Sequence, residues 1–282
     1  MKECFSLPIA GKTVTLHHRK SLILPYNTPM KRFILLALLM AATVSLNVQC
    51  TTVEASEKSP GMEAAPRDLT ERHLKINKSF TSVEVKRGVT VFYTVGNSNS
   101  VRIVGSEELV DHTVVTVEHG TLKVYIEREL LPRNININSL AVYVTAPAFR
   151  EVGISSGSCF TLATAMSISD DFTVRGSSGA IFKAEHSLKC GTLDLQPSSG
   201  CIMDISSLKA KTAHVNASSG AIVTLNGDVA TLTAHISSGA IAKFTGLNAH
   251  EGSVHASSGS IVNIKKGSLS VKSSSGAIVN EK

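Results

Sequence analysis

Aromatic side chains are scarce in this chain of 282 residues, which has no tryptophan and only four tyrosines. Aromatic rings are the usual stacking platforms for sugars, so their scarcity disfavours a lectin. Excess charge is missing as well. The first 55 residues contain six of the basic residues and only two of the acidic ones, which leaves residues 56–282 nearly neutral. A nearly balanced surface gives no electrostatic reason to bind nucleic acid.

Catalytic groups are not clustered in the sequence. Asp170 and Asp171 are typical turn residues, and Asp194, Asp204 and Asp228 fall at different positions of the repeat described below. Polysaccharide hydrolases and lyases need clustered acids, or an acid beside basic groups, on one face. The cysteines and histidines also lack metal-ligand spacing. We therefore expect no catalytic residue, no cofactor and no metal. The alternative to a non-enzymatic surface protein is a β-helix that binds or degrades a polysaccharide.

Residues 30–55 have the pattern of an export signal. Met30-Lys31-Arg32 is a charged start, and residues 33–48 form an apolar core of signal-peptide length. Two endings are open, either lipidation of Cys50 or cleavage after Ala55. The chain is predicted to be extracytoplasmic. It would be held at the outer membrane or cell surface if Cys50 is lipidated, and otherwise be periplasmic or secreted.

The segments on either side of the signal differ in kind. Residues 1–29 have no place in front of a complete signal, so we expect a non-native upstream extension and a start at Met30. Residues 56–73 are polar, contain two prolines and are predicted to be a flexible tether. Residues 74–150 contain alternating runs that predict strands, and His119-Gly120 predicts a hairpin. We expect this N-terminal β region to cap the repeats at 151–282.

A Ser-Ser-Gly motif recurs seven times in residues 151–282, at intervals of 17 to 22 residues. The seven corner glycines are Gly157, Gly179, Gly200, Gly220, Gly239, Gly259 and Gly276. Such a period is typical of a solenoid, and the alternating runs on both sides of each glycine predict strands. We expect each glycine to permit a sharp bend close to the stacked neighbouring corners. The serines would form two ladders of hydroxyl groups.

Equivalent positions of the repeat form rows. Two apolar rows before each corner and two after it are predicted to face inwards, with polar rows between them. One of the inward rows after the corner contains Ile181, Ile202, Ile222, Ile241, Ile261 and Ile278. We therefore predict an all-β fold, namely a right-handed parallel β-helix of about seven coils with two short strands per coil. A strand-rich N-terminal region precedes it.

The three cysteines after residue 56 are Cys159, Cys190 and Cys201. Cys159 and Cys201 stand two coils apart, which is about 9 to 10 Å and beyond disulfide reach. We expect all three to pack in the apolar or small rows. His235 and His255 occupy the same position on neighbouring coils. They form either a metal-binding or proton-binding pair or a surface ladder without a role, and no Asp, Glu or Cys shares their row.

The corners carry a resemblance to a known family. Seven Ser-Ser-Gly corners, the strands of residues 83–146 before them and the Ala146-Pro147-Ala148-Phe149 lead-in make the chain similar to the "putative autotransporter adhesin head GIN domain" family. Its members are secreted or lipid-anchored bacterial proteins, common in Bacteroidota. The resemblance covers residues 74–280. It implies a β-helical extracytoplasmic domain with an adhesin role, and it implies no catalytic residues.

These observations together predict a cell-surface adhesin or surface-assembly module that is not an enzyme. Its partner would be a surface protein or glycan, or a second copy joined through the C-terminal coil. In that coil only Glu281 and Lys282 discourage strand pairing. Contact with a membrane would be made only through a lipid on Cys50.

The first prediction concerns the anchor. If Cys50 is lipidated, cells that express the chain and are fed a fatty-acid probe should label it, and Cys50→Ser should lose the label. Wild-type protein that is exported without label would show that the signal ends by ordinary cleavage. Cys190→Ser is the matched control, because it changes a cysteine far from the signal.

Overall fold

The computed structural model describes residues 69–282 except 134, 266 and 268. These residues form strands, one short helix and two 3₁₀ turns. In this described part, no helix is long and apolar enough to cross a membrane. Cys50, the upstream extension, the export signal and most of the tether lie outside the described residues.

The structure is almost entirely made of strands. The strands before the first corner are β1 (Thr70–Lys75), β2 (Ser82–Val85), β3 (Thr90–Val95), β4 (Ser100–Gly105), β5 (Thr113–Glu118), β6 (Thr121–Ile126), β7 (Ala141–Ala146) and β8 (Glu151–Ile154). The strands after it are β9 (Cys159–Leu162), β10 (Met166–Ser167), β11 (Phe172–Gly176), β12 (Ile181–Pro197), β13 (Ile202–Ala217), β14 (Ile222–Ile236), β15 (Ile241–Ala256), β16 (Ile261–Ile264), β17 (Leu269–Ser273) and β18 (Ile278–Glu281). Helix α1 is Glu107–Asp111, and the 3₁₀ turns are Arg128–Leu130 and Ile137–Ser139.

The strands wind into a β-solenoid of about six turns. Parallel pairing stacks equivalent positions of successive coils, as in Ile202 on Ile222 and Ile222 on Ile241. All eighteen described strands belong to one sheet, so the regions predicted on either side of residue 150 share their hydrogen bonding. The predicted all-β solenoid is confirmed.

Each corner is a two-residue turn with both residues in the left-handed region. At the fourth corner, φ is 52° at Ser219 and 71° at Gly220. The N–H of Ala221 donates to the carbonyl of Ser218 at 3.1 Å. Two positive φ angles closed by this hydrogen bond define a type I′ turn. All seven Ser-Gly pairs have the same signs of φ, so the second serine bends the chain as much as the glycine does.

The corners are stacked by backbone hydrogen bonds. The N–H of Gly220 donates to the carbonyl of Ser238 in the next coil at 3.0 Å, and the N–H of Ser218 donates to Pro197 at 3.2 Å. The expectation of crowding around the glycine is wrong. A Cβ built on any of the seven corner glycines meets no atom within 4 Å, because the corners point outwards. Crowding is found instead at Gly227 and Gly252, where a Cβ would collide with the backbone of the coil below.

The predicted two strands per coil are corrected to three segments. In the central coils one long strand, such as β12, contains all three segments. The post-corner segment follows a Ser-Ser-Gly corner, the pre-corner segment leads into the next corner, and the middle segment lies between them. A register shift between Ala184 and Ser187 marks the first change of direction. The middle segment has only short apolar stretches, such as Leu188 and Cys190 in one coil and Val229 in another. Those stretches are too short to give a clear alternation in the sequence.

Stacked segments form three walls around the core. The post-corner wall comprises β7, β3, β9, the first parts of β12 to β15, β16 and β18. The pre-corner wall comprises β6, β2, β8, β11, the last parts of β12 to β15, and β17. The middle wall contains β10 and the middle parts of β12 to β15.

The isoleucine row after the corner faces outwards, contrary to the prediction. Ala180 and Phe182 are fully buried, so Ile181 between them points away from the core. Inward and outward side chains therefore alternate without a break from the residue after the glycine onwards. The bend lies entirely in the Ser-Gly pair. The other predicted inward rows are buried, as Leu195 before a corner and Leu225 after one show.

Aromatic side chains fill the core of the first coils. Phe160 and Phe182 stack with ring centroids 5.9 Å apart, and Phe149 meets Phe172 edge to face at 5.6 Å. The hydroxyl of Tyr93 donates to the carbonyl of Pro147 at 2.6 Å, and burial raises the pKa of Tyr93. A buried tyrosine needs such a partner for its polar end.

The N-terminal region extends the solenoid. Arg87 and Gly88 form a further corner with positive φ at both residues, and it joins β2 to β3. In space this coil lies between the coil of β6 and β7 and the coil of β8 and β9, because β2 pairs with both β6 and β8. The predicted His119-Gly120 hairpin is confirmed, since it joins the antiparallel strands β5 and β6.

Backbone conformation at the corner makes a prediction for Gly220. Gly220→Val should lower the free energy of unfolding by more than about 1 kcal/mol, because a β-branched L residue is strained at positive φ. Gly220→Asn should stay within about 0.5 kcal/mol of wild type, because asparagine tolerates this region. Urea unfolding followed by circular dichroism measures both.

Gly153 is the matched control for the valine substitution. It lies in β8 with ordinary φ, and a Cβ built on it meets nothing within 4 Å. Gly153→Val should therefore leave stability unchanged or raise it, since β-branched residues suit strands. Equal losses for valine and asparagine at Gly220 would show that space, rather than φ, limits the corner.

Candidate functional surface

An apolar stripe runs along the outer side of the post-corner wall. It consists of Ile181, Ile202, Ile222, Ile241, Ile261 and Ile278, and we call it the isoleucine stripe. Ile181 is 8% exposed, the next four are half-buried, and Ile278 is 53% exposed. The sequence predicts these residues in the core, because two apolar positions after each glycine break the alternation and indicate a bend with both side chains inside.

A polar row lies beside the isoleucine stripe, two residues further along each coil. Its members are Thr161, Lys183, Asp204, Thr224, Lys243, Asn263 and Asn280. This row contains two lysines and one aspartate among neutral side chains, so it has little net charge. The stripe is therefore bounded by polar groups on this side.

The corners bound the stripe on its other side. The second serine and the glycine of each corner are exposed, and together these pairs form a ridge that we call the corner ridge. Backbone groups satisfy one another across the ridge, as Gly239 N–H to the Ser258 carbonyl at 3.1 Å shows. Among the corner serines that the structure describes, none forms a hydrogen bond with a histidine, so no activated nucleophile is assembled.

His235 and His255 lie on the outer side of the pre-corner wall. They are paired in register on β14 and β15, and their rings stack with centroids 5.1 Å apart and planes inclined by 16°. Asn216 and Lys272 are their next neighbours in the row. The predicted adjacency of the two histidines is confirmed.

A shallow depression of about 470 Å³ lies at the other end of the same wall. It forms where Gly153 provides no side chain in the row between Glu84 and Arg175. Its charges neutralise one another. Lys86 contacts Glu84 at 2.6 Å, and Arg175 pairs with Glu151. A glycine inside an alternating strand is the sequence signal that could have indicated this depression.

A third ion pair at the rim shows the same neutralisation. Lys123 donates to Glu118 at 2.7 Å. This hydrogen bond lowers the pKa of Glu118 and raises that of Lys123. Both groups are exposed to solvent, so the pair stabilises the fold little. The depression therefore lacks a free charge that would select a ligand.

The acidic residues considered for catalysis are separated, as their spacing predicts. Asp170 pairs with Arg150 at 2.6 Å, Asp194 accepts from Gln196 at 2.7 Å, and Asp228 accepts from Asn248 at 2.9 Å. Across residues 69–282 that the structure describes, no group of three or more histidines, cysteines and acids could hold a metal ion. Asp170, Asp194 and Asp228 each contact a different partner, so they do not form a pair of carboxylates.

The cysteines divide into two kinds. Cys190 and Cys201 are buried free thiols, and burial raises their pKa to about 11 and about 12. A negative charge on nearby Asp171 adds to the shift at Cys190. Both therefore pack as inert apolar residues, as predicted. Cys159 is also buried, and it is disulfide-bonded.

Known structures share this architecture at low sequence identity. A "putative adhesin" from Parabacteroides distasonis superposes with a TM-score of 0.66 at 12% identity, covering 77% of this chain and 98% of its own. A "putative adhesin" from Bacteroides fragilis gives 0.62 at 15% identity, covering 77% and 98%. A "putative lipid binding protein" from P. distasonis gives 0.63 at 12% identity, covering 76% and 94%. Comparison with curated proteins finds no match.

The family assignment comes from the sequence profile. The profile described as "Putative auto-transporter adhesin, head GIN domain" matches residues 79–281. This range begins just before β2 and ends at the last residue of β18, so it contains every corner and all three walls. The chain therefore belongs to the family described as "Putative auto-transporter adhesin, head GIN domain".

Proposed function

We propose that this protein is a non-enzymatic adhesin that binds a protein on another surface through the isoleucine stripe. The observation that carries the proposal is a row of isoleucines that stacks in register on the outside of the solenoid. Contiguous apolar side chains on an outer face are typical of interaction sites. Membership of an adhesin family and the fold shared with adhesin structures support the same function.

The proposed partner is a protein because of the chemistry of the stripe. Isoleucine side chains give contact area without hydrogen-bonding groups, which suits an apolar protein surface more than a sugar. The chain also has no tryptophan to stack on a pyranose ring. A polar row and the corner ridge on either side would form the rim that protein interfaces usually have.

The proposed location is outside the cytoplasm. An adhesin must reach its partner, and the export signal predicted at residues 30–55 would carry the chain across the inner membrane. With Cys50 lipidated the head would stand at the outer membrane or cell surface, raised on the tether of residues 56–73. With cleavage after Ala55 it would be periplasmic or secreted.

The adhesion experiment uses residues 69–282 on beads against immobilised extracellular-matrix proteins and a glycan array. We expect saturable binding to a protein, weakened about tenfold or more by Ile222→Thr with Ile241→Thr, because two anchors are lost. Threonine keeps the β-branched shape, so the melting temperature should change little. The control pair is Thr233→Ala with Ser253→Ala, on the pre-corner wall of the same coils.

Two outcomes would contradict this proposal. Binding to glycans that is insensitive to the isoleucine substitutions would favour the polysaccharide-binding alternative. Release of reducing sugar ends from a polysaccharide would make the protein an enzyme.

We also propose that two copies associate through the C-terminal coil. Within the described residues, β17 pairs only with β15 and β18 only with β16, which leaves one edge of each strand open. Ile278 is 53% exposed at this edge. An open edge with an exposed apolar side chain favours pairing with another strand.

Light scattering of the 282-residue chain tests this association. We expect the mass to rise with concentration, and removal of residues 277–282 should abolish the rise. Ile278→Lys is the finer variant, since a charge at an edge opposes pairing without shortening the chain. A monomer at high concentration in every form would rule out self-association.

A further inference from the structure

His235 and His255 are held side by side by the parallel pairing of β14 with β15. Each histidine lies between two buried residues of its strand, Ala234 and Ile236 in β14, and Val254 and Ala256 in β15. Because these neighbours are fixed in the core, both histidine backbones are fixed at the spacing of adjacent parallel strands, about 4.8 Å. Both side chains reach solvent.

The surroundings of the pair leave the imidazoles accessible. Asn216 and Lys272 continue the row, and Thr233 and Ser253 lie in the adjacent outward row. The nearest acid along β15 is Glu251, whose carboxylate accepts a hydrogen bond from the hydroxyl of Thr231 at 3.1 Å. Lys272 is therefore the charged group directly beside the pair, and it belongs to the outermost strand of the wall.

The geometry suits a shared metal ion. A metal bound by two imidazoles lies about 2.0 to 2.1 Å from each nitrogen, which places the nitrogens about 3 Å apart. Rings whose centroids are 5.1 Å apart on fixed backbones can meet this requirement by rotation about the Cβ–Cγ bond. Rotation of an exposed ring is fast and needs no backbone movement.

We propose that His235 and His255 together bind one late first-row divalent cation, Cu²⁺ more tightly than Ni²⁺ or Zn²⁺. The order follows the general preference of nitrogen ligands among these metals. Two protein ligands leave the other coordination positions to water or to donor groups of a bound molecule. The site would thus add a metal-bridged contact on the wall that does not carry the isoleucine stripe, and it is independent of the adhesion proposal.

The test is a titration of the 282-residue chain with CuCl₂ at about pH 7.5, followed by calorimetry and by electron paramagnetic resonance. We expect one ion per chain with two nitrogen ligands in the spectrum. Either His235→Asn or His255→Asn should weaken binding at least about tenfold and reduce the nitrogen count. His214→Asn is the matched control, because His214 is exposed on the same wall between Asp194 and Thr233.

Two further variants separate a real site from nonspecific binding. Asn216→His would place a third imidazole beside His235 and should tighten binding at least about tenfold. Lys272→Gln should also tighten it, because a neighbouring positive charge repels the cation. Binding should weaken as the pH falls, because protons compete for the same nitrogens.

Clear results would overturn the proposal. Absence of copper binding, or binding that survives both histidine substitutions unchanged, would leave the pair as a surface ladder without a metal. Sulfate binding that strengthens at acidic pH and is lost in the same variants, without copper binding, would make the pair an anion site formed with Lys272.

Discussion

The hydrogen bond from a corner glycine to the next coil is the interaction on which the stacking of the coils depends. Its donor and acceptor are both backbone groups, as in Gly220 N–H to the Ser238 carbonyl, and it recurs at the first six of the seven corners. Because the bond joins equivalent atoms at these corners, it holds the coils in one register whatever the outward side chains are. The apolar rows, the isoleucine stripe and the histidine pair all follow from that register.

Side chains on the two sides of the walls meet different requirements. Inward positions must fill a closed space, and both bulky and small residues are buried there, as Phe244 and Ala242 are in one coil. Side chains at outward positions need only be compatible with the strand conformation. Their rows can therefore change from lysine to aspartate between coils without disturbing the core, which frees the outer faces for binding.

The sequence predicts the solenoid well because its strongest signal, the Ser-Ser-Gly period, reports the backbone corner directly. The rows that stay apolar in almost every coil are predicted correctly to face inwards, and the burial of Leu195 and Leu225 illustrates this. Ile222 was misplaced because a row of isoleucines looks the same whether it lies inside a wall or stacks on its outer side. Stacked β-branched side chains on an outer face partly cover one another from solvent. This depends on the register of the strands in three dimensions, which hydropathy alone does not show. The histidine pair was found because register alone defines it, whereas the ring geometry needed the structure.

The spatial order of the first coils differs from their order in the chain, and this has a consequence for folding. The coil of β2 and β3 is held between β6–β7 and β8–β9, and Gly88 donates to the hydroxyl of Ser158, 70 residues away. Closing such long loops is slow, because chain entropy is lost before contacts compensate for it. Each later coil adds about 20 residues to an existing edge. Folding should therefore wait until the chain has emerged beyond β9, and then proceed by rapid growth towards the C-terminus.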